Sequence, residues 1–100
     1  MILRIIEECW GIDRKTGEKS SKKTDEKIVE AVSGIQIKMS IGRRLFQIDQ
    51  VSEQSICVSV IYENNPIASR TFEIEKGERM IYRPRSIDGG YKYYLSYENS

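Results

Sequence analysis

Apolar and polar residues alternate one by one along much of this chain, and a period of two predicts strands rather than helices. The clearest stretch is 55–74, SICVSVIYENNPIASRTFEI. In its first half Ile56, Val58, Val60 and Tyr62 share one face, and Ser55, Cys57, Ser59 and Ile61 the other. The β-branched and aromatic content favours a strand. The return run 67–74 alternates too, and two registers compete. A two-residue turn at Asn64-Asn65 sets Val58 opposite Thr71 and Ile56 opposite Glu73, which mixes apolar and polar side chains on the face to be buried. A loop one residue longer, 63–67, sets Val58 opposite Phe72 and Ile56 opposite Ile74. Because a one-residue slip inverts a whole face, the pattern selects the longer loop, and Pro66 agrees by pushing Asn65 towards an extended conformation. The expected buried face is Ile56, Val58, Val60, Tyr62, Phe72 and Ile74, with Arg70 as its misfit.

Upstream, the first ten residues are apolar on both faces between Ile2 and Ile6, as in a central strand. Asp13 and Gly17 match a turn closed by a glycine bulge. The surrounding stretch, about 13–27, is almost entirely charged or small and polar, and reads as a solvated loop. Residues 24–34 admit a helix capped by Thr24 and stopped at Gly34, or a strand built on Ile28, Val29 and Val32. Ile35, Ile37, Met39 and Ile41 alternate with polar residues and predict a half-buried strand over 35–41. Leu45, Phe46 and Ile48 predict a short one. After a tight turn at 75–78, a strand at 80–83 is confined to an edge or end by Pro84, and Asp88-Gly89-Gly90 turns the chain into a closing strand marked by Tyr91, Tyr93, Leu95 and Tyr97.

Turn signals at this spacing predict a single all-β domain over 1–100, with at most one short helix. The expected architecture is a small antiparallel β-sandwich or a partly open barrel of about 6–8 strands. Charged residues make up 31% of the chain, but 16 basic against 15 acidic residues leave a formal net charge of +1, so overall charge names no partner. The opening run lacks the basic start and long apolar centre of a signal peptide. No stretch approaches the roughly 18 apolar residues that span a bilayer. A soluble, cytoplasmic protein without membrane contact is expected. Cys9 and Cys57 read as reduced thiols acting as small hydrophobes, with a bridge between them as the alternative. The absence of histidine excludes imidazole zinc sites and Ser-His or Cys-His nucleophile pairs, and no catalytic residue, metal ligand, cofactor or small-molecule substrate is assigned. Glu7-Glu8 and Asp25-Glu26 are neighbours that point to opposite faces of a strand, so neither pair forms an acid/base couple, and they are expected as solvated or rim charges.

The remaining chemistry is in the C-terminal third, where Arg79, Arg83, Arg85 and Lys92 accompany Tyr82, Tyr91, Tyr93, Tyr94 and Tyr97. Arginine and tyrosine suit a protein interface, and basic groups interleaved with rings also suit single-stranded nucleic acid. One register makes an Arg/Tyr mosaic by pairing Arg83 with Tyr93. The other sets Met80 beside Leu95 and Tyr82 beside Tyr93, buries more apolar surface, and is preferred. It leaves Arg79, Arg83, Arg85, Lys92 and Tyr94 as the candidate partner-binding surface. Nucleic acid is disfavoured, because in sequence these cations are interleaved with Glu75, Glu78, Asp88 and Glu98. The expected function is a non-enzymatic binding or assembly module that uses a sheet face or edge to meet a protein partner, a copy of itself included. The alternative is a β-barrel binding single-stranded nucleic acid.

Overall fold

The alternation becomes two four-stranded antiparallel sheets packed face to face in the computed structural model, which describes residues 1–61 and 70–100. Among these residues there are eight strands and no helix. Strands β1 (Ile2–Ile12), β2 (Lys19–Glu30), β7 (Arg79–Tyr82) and β8 (Gly89–Glu98) form the first sheet in the order β2-β1-β8-β7. Strands β3 (Gln36–Lys38), β4 (Leu45–Val51), β5 (Ser55–Ile61) and β6 (Arg70–Glu75) form the second in the order β3-β4-β5-β6. The architecture is a β-sandwich, and the sheets do not close into a barrel. β1, apolar on both faces at its start, lies between β2 and β8.

Register follows the burial argument. Val58 lies opposite Phe72 and Ile56 opposite Ile74; the loop 63–67 and Tyr62 fall outside the described residues. Met80 lies opposite Leu95 and Tyr82 opposite Tyr93. Leu3, Ile5, Tyr93, Leu95 and Tyr97 of the first sheet meet Phe46, Ile48, Ile56, Val58, Val60 and Ile74 of the second in one buried cluster. At its aromatic end Phe46 meets Tyr93 edge-on with ring centres 5.2 Å apart, and Phe72 lies tilted against Tyr82 at 5.4 Å. Arg70 stays in solvent at the margin, its guanidinium 5.3 Å from the Phe72 ring centre.

Two expectations change. The polar stretch 13–27 is a turn and a strand rather than a loop. The turn is as expected, with the Gly17 N–H donating to Asp13 O at 2.7 Å and Gly17 at φ 72°, but β2 starts at Lys19 and pairs with β1 along its length. Backbone pairing suffices here, because an edge strand in solvent needs no apolar face, and lysines suit an unpaired edge. Residues 24–30 are therefore strand, and Thr24 is the extra residue where the β1–β2 register shifts. The strand expected over 35–41 is only Gln36–Lys38, and Ile41 is 54% exposed, because residues 40–42 turn to meet two carboxylates described below. Both cysteines are free, Cys9 exposed and Cys57 half-buried.

Among the described residues the second sheet is the shorter of the two. Leu3, Ile5 and Glu7 point inward and are fully buried, whereas Cys9, next on the same face, is exposed. The ends of β1, β2 and β8 thus project past the sandwich as a three-stranded arm in a molecule of 48 × 30 × 20 Å.

Candidate functional site

The outward face of the first sheet follows from strand parity. β1 contributes Arg4, Ile6, Glu8 and Trp10; paired with them are Ile28, Glu26, Lys23 and Ser21 of β2, and Ser96, Tyr94, Lys92 and Gly90 of β8. Arg79 and Ile81 of β7 extend the rows at Ser96 and Tyr94. The face is charged but largely self-compensated near its middle. Arg4 pairs with Glu98 at 3.2 Å and Glu26 at 3.7 Å, and Lys92 with Glu8 at 3.6 Å. The Ser96 hydroxyl, and then Arg4, hold the Glu98 carboxyl below its ordinary range.

Four of the five candidate residues gather on this face. The Arg79 guanidinium sits 4.6 Å from the centre of the Tyr94 ring, and Lys92 Nζ 5.8 Å from it. The Tyr94 hydroxyl donates to Glu8 Oε2 at 3.0 Å. Arg83 lies over Trp10, 4.3 Å from the ring centre. Arg85 stands apart, exposed in the connection between β7 and β8. Sequence reasoning missed Trp10, although its parity with Ile6 and Glu8 placed it on the outward face of β1. It is only 7% exposed there because Gly90, its cross-strand partner, has no side chain to hold Arg83 off. A Cβ on Gly90 would press on Ser86 at 3.3 Å. The Trp10 indole N–H is buried without a hydrogen-bond partner among the described residues.

The fold also sorts charge that the sequence interleaves. Residues 8–23 and 83–92, which the register places at the arm, hold eight basic residues (Arg14, Lys15, Lys19, Lys22, Lys23, Arg83, Arg85, Lys92) and four acidic ones (Glu8, Asp13, Glu18, Asp88). The other eight basic residues of the chain are outnumbered by eleven acidic ones. Glu75 and Glu98 do not shield Arg83 and Lys92 as their order in the sequence suggested: Glu98 pairs with Ile2, Glu75 with Ser55, and both lie towards the opposite end.

Glu7 was expected at the rim and is instead fully buried. Its parity with Leu3 and Ile5 points it inward where the second sheet ends, and three donors meet it. Tyr93 Oη donates to Oε2 at 2.9 Å, the Gly42 N–H to Oε2 at 3.0 Å and Thr24 Oγ1 to Oε1 at 2.7 Å. Burial, and then the hydrogen bond to Glu7, push the Tyr93 phenol far above its ordinary range and keep it a donor. Beside this knot Asp25, the cross-strand partner of Glu7, accepts the Ser40 N–H at 2.9 Å. A Cβ on Gly42 would overlap both Tyr93 Oη and Glu7 Oε2. With both carboxylate oxygens engaged and no space beside them, this group fastens the 40–42 turn to the first sheet and offers nothing to a substrate.

The outward face of the second sheet carries a polar ladder. Gln36 Nε2 donates to Gln47 Oε1 at 3.0 Å, Ser59 and Thr71 hydroxyls meet at 3.0 Å, and Ser59 also donates to Asp49. Among the described residues no group of three or more His, Cys, Asp or Glu could hold a metal ion, and no helix is long and apolar enough to cross a membrane. No protein family, curated protein or solved structure matches the chain.

Proposed function

We propose that the protein is a non-enzymatic binding module that engages a protein partner, a second copy of the chain included, through the outward face of the β2-β1-β8-β7 sheet. One observation carries this reading: that face combines the exposed apolar side chains of Ile28 and Ile81, 50% and 54% exposed, with arginines seated on Trp10 and Tyr94. Exposed apolar groups beside aromatic and arginine side chains are the composition of an interface centre. The edges favour a face over strand addition. β2 carries Lys19, Lys22, Lys23 and Lys27, β6 carries Arg70, Glu73 and Glu75, and β3 is three residues long and β7 four; charged or short edges oppose pairing.

The test is sedimentation of the purified chain over a concentration series, joined to affinity capture with Ile28→Glu/Ile81→Glu and, as a control on the other sheet, Gln36→Glu. The reading expects association that the double variant abolishes and the control retains. Equal behaviour of the two variants overturns it.

The basic arm is the one feature that favours single-stranded nucleic acid. The rings speak against it, since Tyr82, Tyr93 and Tyr97 are buried, Tyr91 is half-buried against the core and cations already cover Tyr94 and Trp10, which leaves little aromatic surface for bases among the described residues. With labelled single-stranded DNA or RNA at about 150 mM salt, the expected affinity is no tighter than roughly micromolar. Sub-micromolar binding lost in an Arg79, Arg83 and Arg85 triple variant would reverse this ranking.

A further inference from the structure

At the arm end of the outward face, a depression of about 200 Å³ is lined by Trp10, Lys19, Ser20, Ser21, Arg83 and Lys92. Its size selects a group rather than a whole ligand, since pockets for drug-sized molecules start at about 300 Å³. Its lining is cationic and rich in donors: one guanidinium, two ammonium groups and two hydroxyls.

The charges can be counted. Lys92 is offset by Glu8 at 3.6 Å, whereas Lys19 and Arg83 have no ion-pair partner among the described residues. Two uncompensated positive charges therefore face one small space. Arg83 is also steadied by the Trp10 ring, whose centre lies 4.3 Å from its guanidinium carbon, and a guanidinium so placed still has N–H donors to offer. A donor ordered before binding loses less entropy when a ligand arrives. A carboxylate brings one negative charge and two oxygens to such a site. A phosphate monoester brings about −1.5 to −2 at neutral pH and three acceptor oxygens, which matches both the charge and the donor number.

We propose that this depression is a phosphate-monoester site that captures a phosphorylated side chain of the partner protein. The proposal rests on the reading of this sheet face as the docking surface, and it names the group that anchors there. A nucleic-acid strand fits less well. Its diesters carry one charge each, and the ring that floors the site is covered by Arg83 rather than open for stacking.

Trp10 is the only tryptophan of the chain, so its fluorescence reports on this site directly. The full chain is titrated at constant ionic strength with a short phosphoserine peptide, the same peptide carrying serine or glutamate, inorganic phosphate and a single-stranded oligonucleotide. Backbone amide shifts of Ser20 and Ser21 are followed by NMR as a second readout. The expected result is a saturable change with the phosphopeptide and, more weakly, with phosphate. The serine peptide gives none, and the glutamate peptide binds about tenfold more weakly or worse, a difference of roughly 1.4 kcal/mol. Lys19→Gln and Arg83→Gln, both at exposed side chains, each weaken the phosphopeptide about tenfold. Gln36→Glu, on the other sheet, leaves it unchanged, and loss of partner capture in Ile28→Glu/Ile81→Glu is scored apart from loss of phosphopeptide binding in Arg83→Gln, so the face and the site are read separately. Equal responses to phosphoserine and serine peptides, silence in both readouts, or tighter binding of the oligonucleotide would each overturn the proposal.

Discussion

Glu7 contributes to the fold through what it accepts rather than through its charge. Tyr93, Gly42 and Thr24 all direct donors at it, and the carboxylate that receives them is fully buried. Glu7→Leu fills similar space but strands these donors, and it is expected to destabilise by about 3–5 kcal/mol. Glu7→Gln keeps one oxygen for Tyr93 and Gly42 and turns an amide towards the Thr24 hydroxyl, so its expected cost is about 1–2 kcal/mol. Urea unfolding compares the two, and equal midpoints would show that the knot contributes little. Gly42→Ala tests the same place from the other side. Its methyl group enters space held by Glu7 and Tyr93 and should cost about 1–3 kcal/mol, whereas Gly11→Ala, whose nearest neighbour would be 3.9 Å away, should stay within about 0.5 kcal/mol. None of this was legible from Glu7 itself. Alternation told that it shares a face with Leu3 and Ile5, but a glutamate next to another glutamate reads as surface until the opposing turn is known.

At the scale of elements, period-two alternation carried most of the fold because each strand has one face to bury. The pairing of Val58 with Phe72 and of Tyr82 with Tyr93 followed from matching faces alone. β2 was missed because it lies at an edge in water and has few apolar positions to declare it; its partner strand defines it. The strand expected over 35–41 was cut short for the converse reason, since a carboxylate on another element took over the backbone groups that would have continued the ladder. Asp25 gives this a measurable consequence. The Ser40 N–H holds its carboxyl below the usual aspartate range, so the contact adds stability above the unfolded-state value, about pH 3.9, and that increment is lost as pH falls through the lower folded-state value. Because the group is only half-buried, the effect is small. In Asp25→Asn this titrating increment is gone, so the fall in stability between neutral and acid pH should be slightly smaller than in the parent chain, and the Ser40 amide should exchange hydrogen faster. An unchanged Ser40 exchange rate would show that Asp25 does not hold the turn.

For the whole molecule, composition said near neutrality and the fold says polarity. Four of the five candidate residues came together because strand parity and the β7–β8 register were readable, and Arg85 did not because it follows Pro84 outside any strand. Lys19, Ser21 and Trp10 join the same end only through the β1–β2 pairing, a contact between segments whose polar half gave no sign of being a strand. The gathering of basic residues at the arm has a consequence at the isoelectric point, which the composition of the sequence puts near pH 7.7. A uniformly charged protein passes through an ion exchanger there. This one should be retained on a sulfonate resin at low salt, presenting its arm to the matrix, and Lys19→Glu/Arg83→Glu should elute earlier even after the buffer is adjusted to the variant's own isoelectric pH.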